Sequence, residues 1–484
     1  MKIIELDKTQ KKIILISSII LVIQGIWAIY GYGYIAQDWG WHSSKILAYK
    51  DTGFSYSNTN PPGFYVLGYL VESVVSTQYV FEAYAFLLLL INILAVFFFD
   101  ILILKTIKNK ALQNGLILLL SFVPFRVIHS IVISCDALTV LPFILSVFYV
   151  KDIISTQSTN NEKSKAWLIT SFMVSIGLWF KYTFVGLLPP LGLLYIVNFF
   201  KDKKTIHNVL IPFIALLIPT SLFLNQMYLS YKAKSVTTHQ HWDKRGGPAD
   251  MNIIDITFPK FNDLKLLMAP DDSMSIRENH RFSYLGLIHY SLYFDAQTFF
   301  QRLAAKDWPK KFGSRNQNIR EAGIDSLENP KRKRHKITKV LNPLALVLSL
   351  PISFISLFGL LAMFVTITKQ LINEKKSDVT SSYISSALLL AIGFHSIILI
   401  PLPFVFNTYK AGYWTPRLIM PSILTYFIVG FYWLENDGKT MFLKFLPKVS
   451  GKFKSFEAFF EKKFSDKHIT YYFLFLSFLY VSIL

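Results

Sequence analysis

Two acids and a handful of cations stand where long apolar runs end, and they are the residues of this chain best placed to do chemistry. Asp38 lies in Gln37-Asp38-Trp39-Gly40-Trp41-His42, just past the first apolar run, and Asn60-Pro61-Pro62-Gly63-Phe64-Tyr65 follows. Asp38, His42, Lys45 and Tyr49 are spaced 4, 3 and 4 apart, so a helix over 38–50 puts them on one face. A carboxylate there can take a proton, and His42 and Lys45 can hold an anion beside it. Trp39 and Trp41 suit the lipid–water boundary, where indole is both apolar and a donor. The spacing by itself equally suits a solvated interfacial helix.

A second group follows. Asp136 comes after Ser134-Cys135, and Arg126 and His129 lie shortly before it. An ionisable residue near a membrane span is a functional candidate because burying it is costly; a structural Arg126–Asp136 pair is the alternative. Lys181, in Gly177-Leu178-Trp179-Phe180-Lys181-Tyr182-Thr183, is either a phosphate ligand or a snorkelling lysine. Arg417, in Tyr413-Trp414-Thr415-Pro416-Arg417, has a fork that matches two phosphate oxygens. Lys410 reads as solvated and His395, alone in mid-span, as a packing residue. No His/Cys spacing marks a structural metal site, and no glycine loop marks a nucleotide site.

These residues need a membrane to position them. Of 484 residues 52% are apolar, with 43 Phe and 25 Tyr, and the mean hydropathy is +0.40. Long uncharged runs in such a chain must be helices, since backbone groups in lipid need internal partners. The expected fold is an all-α polytopic membrane protein with about eleven spans: 13–34, 83–104, 111–129, 131–150, 166–183, 185–200, 208–229, 341–368, 381–405, 416–434 and 469–484. The N-terminal run reads as an uncleaved span with a cytoplasmic N-terminus. The segment 62–78 is too short to cross and reads as a juxtamembrane helix started by Pro61-Pro62.

Charge sets the sides. If 62–78 does not cross, the basic connectors 105–110, 151–165, 201–204 and 369–376 fall inside, together with 436–468 and its eight Lys. The first loop, 35–80, and the long loop 231–340 then fall outside, with 282–300 as an interfacial helix. The +20 net charge is therefore a topology signal, not a nucleic-acid footprint. A single Cys135 excludes an internal disulfide.

In this order the motifs resemble the type-C membrane glycosyltransferases that use polyprenyl-phosphate sugars, in the bacterial branch related to protein O-mannosyltransferases and the lipid A aminoarabinose transferase. Asp38 matches the acid opening the first outer loop. Pro61-Pro62-Gly63-Phe64-Tyr65 matches the Pro-Pro-aromatic signature, Asp136 the acid at the fourth span, and Arg417 to Pro421 the late Arg-x-x-x-Pro. The sequence departs from the pattern where Trp39 replaces a second acid and Asn60 replaces a His or Lys before Pro-Pro.

The resemblance implies an inverting transfer of a hexosyl or pentosyl group at the outer face of a bacterial inner membrane. The donor is a polyprenyl-phosphate-linked sugar held among membrane lipids; the acceptor is a glycan, lipid or protein. Asp38 would be the base and Asp136 would orient the acceptor or the Asp38 helix. Arg417, Lys181 or Arg126 would hold the phosphate, and Trp39, Trp41 and Tyr65 would line the sugar or isoprenoid site. A divalent cation is the one cofactor left open. The competing readings are an envelope polysaccharide polymerase or ligase, using Arg277, Arg281 and His289 of the long loop, and a lipid-linked saccharide transporter or flippase.

Overall fold

The structure, a computed structural model, describes residues 6–31, 45–49, 51, 61–76, 79–131, 133–201, 206–232, 260–264, 283–293, 335–373, 379–399, 419–438 and 466–483. Among these residues every regular element is helical. They are α1 (Lys8–Gly31), α2 (Gly63–Val74), α3 (Val80–Thr106), α4 (Lys110–Phe122), α5 (Pro124–Ile131), α6 (Val140–Ile154) and α7 (Asn160–Phe180). Then follow α8 (Leu188–Lys201), α9 (Ile206–Lys232), α10 (Tyr284–Tyr293), α11 (His335–Asn373), α12 (Val379–Leu399), α13 (Met420–Trp433) and α14 (Asp466–Ile483). Short 3-10 turns, Cys135–Thr139 and Tyr182–Leu187, lead into α6 and α8.

Among the described residues, six stretches are long and apolar enough to cross a membrane: Lys8–Ile26, Val80–Thr106, Cys135–Ile154, Tyr182–Phe200, Val209–Leu229 and Leu341–Val365. The chain is thus a helical membrane protein. The other five expected spans coincide with helices but fall short of that standard, for visible reasons. Pro124 breaks 111–129 into α4 and α5. Helix α7 begins with the polar turns Asn160-Asn161-Glu162-Lys163, fixed by a Thr159–Glu162 capping box. The described part of α12 ends at Leu399, short of the expected 405; α13 has 14 described residues; α14 opens with Asp466-Lys467-His468. The 12 residues of α2 span ~18 Å, well short of the ~30 Å hydrocarbon core.

Helices close on one another where glycine permits. A Cβ on Gly359 of α11 would sit 2.4 Å from Gly430 Cα of α13, and one on Gly186 would sit 2.6 Å from Gly393 O of α12. Small residues at such crossings let backbones approach in a membrane, where packing rather than water exclusion drives association. The main core runs from α3 through α6, α7 and α12 to α13 and α14. A second core lies at one end of the bundle, under α2, and includes Ile46, Phe64, Tyr65, Tyr84, Leu88, Cys135 and Leu138.

Another end is tied by polar bonds. Glu435, in the turn after α13, accepts from the backbone N–H of Lys108 at 2.9 and 3.1 Å and of Asn109 at 2.6 Å. These amides precede α4, where a carboxylate is favoured by the helix dipole. The Asn109 side chain caps Leu112 N–H and donates to Asp466 at 3.1 Å.

The expected interfacial helix over 282–300 is Tyr284–Tyr293 in the described residues, and it packs into the bundle against α11 and α5. His289 Nε2 donates to Leu346 O at 2.9 Å, while Nδ1 meets Ser353 Oγ at 2.8 Å. Burial lowers the imidazole to about 4. It is therefore neutral, with Nδ1 accepting from the serine. Both ring nitrogens are committed to packing, which removes His289 from the residues available to a ligase-type loop. His395 likewise bonds Tyr426 Oη at 2.8 Å.

Candidate functional site

The second core builds the site. Pro62 caps α2 in helical geometry, φ −72° and ψ −22°, and its carbonyl accepts from Tyr65 and Val66 N–H. The Pro-Pro pair thus starts α2 at a fixed angle. Tyr84 of α3 donates to Phe64 O at 2.7 Å, tying α2 down from one side. From the other side Gly63 meets the Trp179 backbone carbonyl at the end of α7. Residues 45–49 are helical. Ile46 packs against Gly68, and the Tyr49 and Tyr69 rings lie 5.2 Å apart. Lys45 Nζ stands 5.8 Å over the Tyr65 ring, an attractive cation–π geometry. Burial pushes its ammonium down to about 8.

The α7 C-terminus brings in the charge. Lys181 is the capping residue, its N–H bonded to Gly177 O at 2.7 Å, and its extended backbone breaks the helix before Tyr182–Leu187. Its ammonium forms an ion pair with Asp136. The two residues are 8% and 3% exposed, so the pair is shielded from the solvent screening that weakens surface pairs. Asp136 sits in the first turn of Cys135–Thr139. Thr139 Oγ1 donates to Asp136 O at 2.7 Å, and Asn92 Nδ2 of α3 donates to Ala137 O at 3.2 Å. Those two bonds fix the turn that aims the carboxylate. Ser134, ahead of it, and Thr183, two residues past Lys181, carry buried hydroxyls with no hydrogen-bond partner among the described residues.

This corrects two expectations. Asp136 pairs with Lys181, not with Arg126, and Lys181 is buried rather than snorkelling. Arg126 is buried too, but turned away: Nη2 donates to Ser121 O, and the acid within electrostatic reach is Asp100. His129 is buried with its ring 4.8 Å from Phe125. The structure therefore gathers Lys45, Tyr65, Asp136 and Lys181 around one core and separates Arg126 from them. Asp38, Trp39, Trp41, His42 and Arg417 lie outside the described residues, as do Arg277, Arg281, Lys410 and Trp414. No group of three or more His, Cys, Asp or Glu with metal-holding geometry occurs among the described residues.

Sequence reasoning missed Asn92 and Asp100. Each is a polar residue inside the most apolar span, an anomaly that hydropathy alone displays.

No family model matches the chain, and no curated protein matches it. Among solved structures it is similar to the crystal structure of ArnT from Cupriavidus metallidurans in the apo state, at 11% identity and a TM-score of 0.38, over 88% of this chain and 77% of that one. So shallow a likeness carries no argument, and the functional reading rests on this chain's own residues.

Proposed function

We propose that the chain is a type-C membrane glycosyltransferase that moves one sugar from a polyprenyl phosphate to an acceptor hydroxyl on the outer face of the membrane. The observation that supports it is the seating of the Asp136–Lys181 pair beside α2, with Lys45 over Tyr65 in the same core. A buried acid, two amines and an aromatic wall are what a phosphate-leaving sugar transfer requires at a lipid boundary.

The step is a direct displacement. Asp38 takes the acceptor proton as the acceptor oxygen bonds to the anomeric carbon. The anomeric carbon–phosphate oxygen bond breaks on the opposite face, and its electron pair leaves with polyprenyl phosphate. Arg417 forks that phosphate and Lys45 adds a second cation. Lys181, already neutralised by Asp136, serves chiefly to hold that carboxylate toward the acceptor. Tyr65 borders the sugar.

The test is release of polyprenyl phosphate by purified protein from polyprenyl-phosphate sugars in the presence of candidate acceptors. Asp38→Asn should cut turnover by ~100-fold or more while leaving donor binding in place. A protein that moves lipid-linked saccharides across vesicles without breaking the sugar–phosphate bond would replace this reading with the transporter.

A further inference from the structure

Most of α9 lies open on the outside of the bundle, with Leu224 and Tyr228 each 60% exposed, yet Gln226 between them is 2% exposed. This long polar side chain is therefore turned inward. Its Oε1 is buried with no hydrogen-bond partner among the described residues. Hiding an acceptor from every donor is costly, and polar groups kept inside a membrane protein mark functional positions.

The packing of α9 on α7 shows where Gln226 faces. Near the start of both helices Ser164 Oγ meets His207 Nδ1 at 2.8 Å. Past the end of α7 the Tyr182 and Phe223 rings lie 6.5 Å apart, edge to face. The two helices thus run parallel, and α9 continues onto the turn Tyr182–Leu187. Gln226 is three residues beyond Phe223, so it shares that face and stands ~4.5 Å further along. That brings it level with Thr183 and the residues next to it.

Thr183 is two residues past Lys181, and Ser134 is two residues before Asp136, so the buried ion pair brings their neighbourhoods together. Both carry buried hydroxyls with no partner among the described residues. The three orphaned groups are neutral, and the ion pair beside them cancels its own charge. Such a set is poorly suited to a phosphate or a metal ion. It suits a hydroxyl, which can donate to Gln226 Oε1 and accept from a Thr or Ser hydroxyl at the same time. The Tyr182 and Phe223 rings add an apolar wall on which the C–H face of a sugar can lie.

We infer that Gln226, with Thr183 and Ser134, forms a subsite that reads a ring hydroxyl of a sugar beside the Asp136–Lys181 pair, which makes Gln226 a specificity-determining residue. The inference rests on the proposed function. Either the transferred sugar of the donor or a glycan acceptor carries this chemistry.

The experiment uses the full-length protein in lipid nanodiscs, with polyprenyl-phosphate hexoses and pentoses, glycan acceptors, and the monodeoxy analogues of each. In the wild type one monodeoxy analogue should lose ~10- to 100-fold in kcat/KM against its parent, because the missing hydroxyl leaves the subsite unpaired. Gln226→Leu should lose a similar factor on the parent and bring parent and analogue within about twofold of each other. Thr183→Val, which keeps the shape and removes the hydroxyl, should narrow the same ratio, and it decides the matter if Gln226→Leu does not fold. Selectivity lost at a donor analogue assigns the subsite to the transferred sugar; selectivity lost at an acceptor analogue assigns it to the acceptor. A packing role would slow parent and analogue alike. A kept ratio in both variants, or a wild type indifferent to every deoxy analogue, overturns the subsite and leaves the proposed function standing. A wild type that transfers no sugar from any donor overturns both.

Discussion

Gly63→Ala adds one methyl group at the tightest joint of the site. Its Cβ would stand 2.6 Å from the Trp179 carbonyl oxygen, and 2.7 and 2.8 Å from two atoms of the indole ring. Carbon reaches its best contact distance at ~3.5 Å, so the start of α2 must retreat from α7 by ~0.9 Å. The indole could turn aside, but the carbonyl is backbone and cannot. Pro61 and Pro62 stiffen the approach, and the Tyr84 bond to Phe64 O resists the retreat. Overpacking of this kind costs ~1–3 kcal/mol. The displacement also carries Tyr65 away from the end of α7, and shifts approaching 1 Å reduce turnover by up to ~100-fold. Gly192→Ala is the control: nothing lies within 4 Å of its added Cβ, so it should be neutral or stabilising by up to ~1 kcal/mol. Thermal unfolding in detergent and release of polyprenyl phosphate measure both quantities. Equal midpoints and equal turnover in the two alanine variants would refute the claim that the α2–α7 contact sets the site.

Lys45 loses its charge as pH rises through about 8, so donor affinity should decline between pH 7 and 9; Lys45→Arg, which stays charged, should flatten that decline, and an identical slope in both proteins would exclude Lys45 from the phosphate. The same lowered value makes the unfolded chain the better proton binder between about 8 and 10.5, so this residue's contribution to stability grows with pH across that window. For His289, lowered from 6.5 to about 4, stability should be full above pH 6.5 and fall as pH drops toward 4, by about 2 kcal/mol at pH 5; midpoints for wild type and His289→Asn at pH 7 and 5 check this, and a variant with the same pH dependence would contradict it. Arg417→Lys should lose activity while expressing normally, because an ammonium has no fork for two oxygens; turnover equal to wild type would leave Arg417 as an interfacial anchor.

The helical class and the place of each long helix were legible in the apolar runs, because period and length in a membrane leave few alternatives. The start of α2 was legible too, in Pro61-Pro62. The partner of Asp136 was not. Lys181 is brought to it by the packing of α7 against α6, and no local spacing records which helices meet. Arg126 was misdirected for the same reason: its closeness to Asp136 in the chain suggested a pair, while the break at Pro124 points it at the Ser121 carbonyl. The break itself had a signal in Pro124, yet Pro212, Pro219, Pro343 and Pro351 all sit inside continuous helices. A proline in a membrane helix is therefore a possible break, and its neighbours decide the outcome.

Glu435 and Asp466 both dock at Asn109, so the chain leaves α13 and re-enters at α14 from nearly one point. The basic stretch between them closes on a gap that is already small. Doubling its length should cost only ~0.6 kcal/mol of closure entropy. The covalent link is then not what keeps the last helix in place. Helix α14 is seated on α4 and α11, with Phe473 against Gly115 and Tyr480 Oη bonded to Ser349. A gene divided within 445–455 should yield two polypeptides that assemble and co-purify, giving a permissive site for tags, for nicking, or for expressing the final helix separately.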